Sequence, residues 1–251
     1  MKYSKNPSVL AAMTGITTGS FANKCLIHGG AGIVTIGGYP VGKEMILASK
    51  EAVQRGRMEF ILRDGSEANE ISKEALKVSD LSNLIINLRF NKIKDMKRFS
   101  SLLSNLLGEK PILELNAHCR QPEYVRRGGG QNLLKRLDTL NNLIKVCRSK
   151  DFRISLKIRG NSIVPDLLIP RIDQWHLDFL HIDSYQVGRD CTDLELLREY
   201  TQRINTPVIG NNSVVDFKSA KAILDAGAQL FSVARAAEKN PIIFKDIVKD
   251  F

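Results

Sequence analysis

No run in the 251 residues approaches the ~20 consecutive apolar side chains that a membrane-spanning helix needs. The N-terminus likewise lacks a basic stretch followed by a long apolar core, so neither a membrane partner nor a secretory leader is expected. Cysteine is scarce: Cys25, Cys119, Cys147 and Cys191 lie far apart and form no CxxC pair. That spacing speaks against a zinc site and against a disulfide framework, and a reducing, cytoplasmic setting is the expectation. Acidic residues are also in deficit, 27 Asp and Glu against 37 Lys and Arg, for a formal charge of +10. Such an excess suits a polyanionic partner, because Lys and Arg displace the counterions condensed on phosphates; an incidentally basic surface is the other reading. What is present is a 43% hydrophobic complement, enough for a substantial core and against wholesale disorder.

Short β-branched runs recur at 8–14 (SVLAAMT), 32–36 (GIVTI), 84–89 (LIINLR) and 112–117 (ILELNA), then at 154–158 (ISLKI), 179–183 (FLHID), 207–211 (PVIGN) and 230–234 (LFSVA). They are near-continuously apolar, as parallel strands covered on both faces must be. Helical patterns separate them: 45–54, 97–107, 194–203 and 219–226, the last stopped by Gly227, and Leu133, Leu137, Leu140 and Ile144 along one face. Eight strands alternating with helices predict an α/β fold, a single (β/α)₈ TIM barrel filling 1–251, with no separate C-terminal helical domain. Residues 57–80 read as an excursion at the rim, although 59–62 could itself be a strand. A short helix is expected over 241–251.

In such barrels, side chains at the C-terminal ends of strands line the site. Those ends supply Met13, Asn87, Asn116 with Cys119, Lys157 with Arg159, Asp183, Asn211 and Arg235. Packing alone does not select Lys, Arg and Asn in strands otherwise made of Ile, Leu and Val. Cys119 can act as an acid toward a substrate carbon, or be a buried inert thiol. Lys157 and Arg159 alternate along one strand, so both face the same side and need an anionic partner, a water-filled cavity, or an ion pair with Glu114 or Asp183. Gly210, Asn211 and Asn212, with Ala234 and Arg235, stand where barrels of this kind bind phosphate after strands seven and eight. Arg120, Arg126, Arg127, Lys135 and Arg136 flank Gly128, Gly129 and Gly130, where glycine permits close backbone approach to a ligand or another chain.

These residues resemble the dihydrouridine synthase family. The Asn116-Ala117-His118-Cys119 segment resembles the family's Asn-x-x-Cys-Pro motif. Its continuation, running without a gap through Arg126-Arg127 and Gly128-Gly129-Gly130 to Leu133-Leu134, is similar to the basic and small-residue run of the family. The LAAMTGITTGSF opening, INLRF with Asn87 in place of Gln, SLKIRG, and the pair PVIGNNSV and SVARAAEKNP are similar to its other motifs. The resemblance implies an FMN-dependent reduction of uracil in tRNA by NADPH or NADH. It implies Cys119 as general acid, Asn116 and Arg159 toward the substrate, and Met13, Asn87, Lys157, Asp183, Gly210, Asn211, Asn212, Ala234 and Arg235 toward the flavin.

The chain departs from the pattern at several places. Arg120, not proline, follows Cys119, and Asp183-Ser184-Tyr185 stands where the family has His-x-Arg. An acidic Asp183 beside a flavin phosphate repels it unless Asp183 pairs with Lys157. A divergent, short branch of the family is the expectation. Two alternatives stay open: an FMN oxidoreductase for a small molecule, similar to dihydroorotate dehydrogenases, and a non-catalytic barrel with an RNA- or protein-binding surface.

Overall fold

The computed structural model describes residues 6–186, 188–189 and 191–251. The apolar runs become eight strands: β1 (Ser8–Leu10), β2 (Val34–Pro40), β3 (Leu84–Arg89), β4 (Ile112–Ala117), β5 (Arg153–Arg159), β6 (Phe179–Asp183), β7 (Val208–Asn211) and β8 (Leu230–Val233). All pair in parallel, in the order β1-β8-β7-β6-β5-β4-β3-β2. The ring closes between β1 and β2, where Leu10 N–H donates to Ile33 O at 2.9 Å and Ile33 N–H donates to Ser8 O at 3.0 Å. The fold is a (β/α)₈ barrel.

The helices between the strands follow in order. They are α1 (Gly19–Ile27), α2 (Lys43–Gln54), α3 (Glu67–Ala75), α4 (Ile93–Leu106), α5 (Pro122–Arg126) and α6 (Leu137–Arg148), then α7 (Pro165–Ile172), α8 (Leu194–Thr201), α9 (Phe217–Asp225), α10 (Arg235–Lys239) and α11 (Ile243–Val248). Short polar side chains fix several starts by accepting from orphan amides: Thr18 caps α1, Asp193 caps α8, and Asp216 with Ser219 forms a capping box on α9. No helix among the described residues is long and apolar enough to cross a membrane.

Several boundaries differ from the sequence reading. β1 stops at Leu10, so Met13 lies in the following turn, where Ile16 N–H and Thr17 N–H both donate to its carbonyl. Leu133 belongs to a 3₁₀ turn before α6. Arg235 opens α10 instead of ending a strand, and the terminal helix covers only Ile243–Val248. Within 57–80, α3 joins the outer ring, packed against α1 and α4, while α2 packs on α5. Residues 57–63 between α2 and α3 form no strand; they cross toward the barrel mouth instead.

The barrel interior is stratified. Val9, Ile33, Ile85, Ile112, Phe179, Ile209 and Leu230 form an apolar floor, each burial stabilising by roughly 1.5–3 kcal/mol. The side-chain period of two then places Asn87, Glu114, Ser155, His181 and Ser232 one layer up, all essentially without solvent contact. Above them Asn116, Lys157 and Asp183 face the C-terminal mouth.

Candidate active site

The polar layer is built around one carboxylate. Glu114 accepts from Asn87 Nδ2 at 2.6 Å, Ser155 Oγ at 3.1 Å and His181 Nδ1 at 2.7 Å. Burial pushes its carboxyl up, but contact with His181, the Lys157 charge and the Asn87 amide pull it down further, to about 2. His181 is itself held below the usual histidine range, first by burial and then by Lys157, and its Nε2 meets Ser232 Oγ at 2.8 Å. The network continues upward. With its amide given to Glu114, Asn87 can only accept at Oδ1, and Asn116 Nδ2 donates there at 2.9 Å. Asn116 Oδ1 is thereby turned toward the β4–α5 loop, where it accepts from His118 N–H at 3.1 Å and Cys119 N–H at 2.9 Å.

The Cys119 loop is held from its other side by the glycine run. Gln131 N–H donates to Cys119 O at 2.9 Å, and a Cβ on Gly130 would stand 2.1 Å from that oxygen. Gly130 also has φ +55°, so both space and backbone demand glycine. The run thus packs on Cys119's own backbone, a tighter role than the open approach surface anticipated from the sequence. Arg127 pairs with Glu51 at 2.5 Å, and Arg136 donates to Gly128 O. These two arginines of the cluster are therefore spoken for.

A cavity of about 600 Å³ opens at this end of the barrel. It gathers Met13, Asn87, Asn116, Cys119, Lys157, Asn211, Ala234 and Arg235 from the strands and the segments that follow them, together with His118 and Arg89. Arg159, Asp183, Gly210 and Asn212 do not line it. Gly210 is glycine because a Cβ there would lie 2.3 Å from Ile223 Cγ2 on α9. Asn212, at φ +132°, spends its amide on Asp183 at 2.7 Å. Arg159 pairs with Asp183 at 3.4 Å and lies over the Tyr185 ring at 5.3 Å.

Asp183 pairs with His118, Arg159 and Asn212; of the two cations the sequence offered it, Arg159 takes the ion pair and Lys157 does not. Its Oδ2 lies 2.6 Å from His118 Nε2, and its Oδ1 also accepts from Tyr185 N–H at 3.2 Å. Burial raises the Asp183 carboxyl, but the His118 hydrogen bond and charge, the Asn212 amide and Arg159 outweigh it and hold it well below the usual carboxylate range. Lys157, only 4% exposed, is left with no hydrogen bond and no close ion pair among the described residues. Burial lowers its ammonium pKa, against the charges of Glu114 and Asp183.

Glu59 and His181 were absent from the residues expected at the site, and Glu114 was expected only as a possible ion-pair partner of Lys157 or Arg159. Glu59, from the 57–63 segment, has a side chain without solvent contact: it pairs with Arg89 and accepts from Thr14 Oγ1 at 2.9 Å and Tyr124 Oη at 3.0 Å. These bonds hold the segment at the rim, where the sequence placed it, although nothing in the local pattern singles out Glu59. Glu114 and His181 did leave a signal, being charged or polar at inward positions of apolar strands. Among the described residues no group of three or more His, Cys, Asp or Glu is arranged to hold a metal.

Comparison with known proteins gives the lineage. Residues 186–250 match the family model described as Dihydrouridine synthase (Dus). An uncharacterized protein of Methanocaldococcus jannaschii is 33% identical over 237 residues, spanning 93% of this chain and 90% of that one. tRNA-dihydrouridine synthase B of Escherichia coli (strain K12) is 27% identical over 145 residues. The chain belongs to the dihydrouridine synthase family. Its alignment with the E. coli synthase covers 54% of this chain and 45% of that protein, so the chain matches less than half the length of that relative. Across its whole length the barrel also superposes on a chain of the tryptophan synthase complex from Pyrococcus furiosus, TM-score 0.64, 14% identity, covering 99% of both. A FabK mutant from Thermotoga maritima gives TM-score 0.57 at 10% identity, covering 92% of this chain and 61% of that one. These two likenesses concern the fold alone.

Dihydrouridine synthases are flavin-dependent, and the cavity fits a flavin. Its volume lies within the range of ligand pockets, Ala11, Ala12 and Met13 offer an apolar wall, and Lys157 lines it with an ammonium that Glu114 and Asp183 offset only at a distance, without a close ion pair. A buried ammonium without a partner is costly unless an electron-rich or anionic group comes to it. Asn211, Ala234 and Arg235 would hold the phosphate end, and Met13, Asn87 and Lys157 the ring.

Proposed function

We propose that the protein is an FMN-dependent reductase that converts uracil to dihydrouracil in tRNA, with NADPH or NADH as reductant, in the cytoplasm. The observation that carries this reading is the convergence of Cys119, Asn116 and the unpaired Lys157 on one cavity. FMN, when bound, supplies hydride to one carbon of the pyrimidine ring. Cys119, 5% exposed, then delivers its thiol proton to the adjacent carbon, general acid work that typically contributes 10²–10⁴-fold. Asn116 holds the Cys119 backbone in place through two accepted hydrogen bonds. Lys157 contributes the positive charge that an electron-rich ring draws on.

Arg57, Arg120 and Arg235 stand exposed around the same cavity, none with an ion pair among the described residues. Free guanidinium groups at a mouth suit a phosphate backbone, and with the +10 charge they favour RNA over a neutral small substrate. A stacked base has to be extruded to reach Cys119, at a cost of a few kcal/mol that backbone contacts offset. The test is to incubate the FMN-loaded protein with NADPH and unmodified tRNA and measure dihydrouridine by nucleoside mass spectrometry. Dihydrouridine lost in a Cys119→Ala variant supports the proposal; FMN-loaded protein that forms none refutes it.

A further inference from the structure

The pairing of His118 with Asp183 is not explained by the reduction chemistry above, and it has a definite polarity. A neutral imidazole carries one donor nitrogen and one acceptor nitrogen. Asp183 is an ionised carboxylate whose Oδ1 already accepts from Asn212 and Tyr185, so at Oδ2 it can only accept. The proton shared over 2.6 Å therefore sits on His118 Nε2. Burial, with the Lys157 and Arg159 charges, keeps the ring neutral against the pull of Asp183. Nδ1 is left as a lone pair, with no partner among the described residues, on a side chain that is 29% exposed and lines the cavity.

The rest of the polar wall is rich in donors. Lys157 and Arg89 contribute N–H groups, and the Arg89 Nε is buried without a partner. Of the buried carboxylates, Glu59 is committed to Arg89, and Glu114, beneath the cavity, to Asn87, Ser155 and His181; Glu238 lines the outer wall as an exposed side chain of α10. Strand order sets Arg89 on β3 and Lys157 on β5 to either side of β4, whose end leads into His118; donors flanking an acceptor match a ring in which an N–H lies between two carbonyls. We propose that His118, set by Asp183, accepts the N–H of a cyclic imide through Nδ1. A flavin ring and a uracil ring both carry that group. The proposal rests on the flavin and pyrimidine reading of the cavity and assigns His118 as the side chain that recognises one of the two.

The test compares each ligand with its N3-methylated form, which keeps both carbonyls and removes the hydrogen. FMN and 3-methyl-FMN are titrated into the protein by absorbance; uridine monophosphate and its 3-methyl form are titrated into the FMN-loaded protein. Methylation of the recognised ligand is expected to weaken binding about 10-fold or more in the wild type. That gap is expected to shrink below about 3-fold in His118→Ala, and to persist in part in His118→Asn, whose Oδ1 stands near the Nδ1 position. The pair that shows the gap identifies the ring. A merely structural role for His118 lowers both members of a pair equally and leaves the gap intact, which overturns the assignment. Nitrogen-15 NMR of the histidine rings supplies the ligand-free readout: a neutral His118 with its proton on Nε2 supports the proposal, and an imidazolium or an Nδ1 proton overturns it. FMN binding without methyl discrimination in either pair removes the His118 assignment and leaves the proposed function standing. Failure to bind FMN at all removes both.

Discussion

Replacing Glu114 tests the architecture beneath the site most sharply. The carboxylate gathers three donors at 2.6, 2.7 and 3.1 Å with no access to water, and it is the nearest full negative charge offsetting Lys157 from below. Glu114→Ala strands the Asn87 amide, opens a void, and leaves Lys157 with Asp183 alone as a counter-charge. Ser155 can rotate its hydroxyl and His181 can change tautomer, so not all three donors bear the full penalty. Leaving buried donors unsatisfied costs about 1–3 kcal/mol each, so with the lost charge beneath Lys157 the total is about 3–5 kcal/mol. For a domain of this size each kcal/mol lowers the melting temperature by about 2–4 °C, so the expected fall is about 6–20 °C. Glu114→Gln keeps an acceptor for Asn87 and the volume, and is expected to lose only about 1–2 kcal/mol, with His181 reversing its tautomer to receive the new amide. Differential scanning calorimetry on both variants is the assay. An alanine variant within about 1 kcal/mol of the wild type, or a glutamine variant as unstable as the alanine one, contradicts the reasoning.

Three further outcomes are expected. His118 and His181 titrate below their unfolded range, so the unfolded chain takes up protons first: stability is full above about pH 6.5 and falls as pH drops below it. Glu114 and Asp183, both depressed, add a second loss below about pH 4, and a urea-midpoint series that rises on acidification contradicts both signs. Lys157→Met is expected to weaken FMN binding by roughly 10-fold to 100-fold, the value of one charge-assisted contact, measured by flavin titration; unchanged affinity removes Lys157 from the site. Gly130→Val places a Cβ against Cys119 O at φ +55° and is expected to loosen the Cys119 loop, speeding alkylation of the thiol and lowering activity more than stability; a variant with wild-type alkylation and turnover shows that the loop does not depend on this contact.

Much of the barrel was legible because its determinants are local. Strands buried on both faces have to be apolar, so IVTI, LIINL and ILELN announce themselves, and β3, β4 and β6 fall where the runs do. Ends were less legible: β1 stops early because Met13 and Thr17 form a hydrogen-bonded turn that no apolar count reveals. The members of the cavity that come from strand ends followed from register alone. What stayed hidden depends on pairings across the chain. His118 meets Asp183 across 65 positions, and Glu59 meets Arg89 across 30, from a segment with no regular structure. Gly210 looked like part of a phosphate turn, yet its lack of a side chain is set by Ile223 on the packing face. Arg159 was expected either beside Lys157 in the cavity or in an ion pair with Glu114 or Asp183, and it takes the Asp183 pair, with Tyr185 beneath it.

Every role proposed for Cys119, Asn116 and Lys157 requires that the cavity at the strand ends hold a flavin. Titrating FMN into the purified protein while recording its visible spectrum tests this directly. Saturation at one FMN per chain, with affinity reduced in Lys157→Met, is the predicted result. Protein that stays colourless after exposure to excess FMN, with a melting temperature unmoved by the ligand, contradicts it.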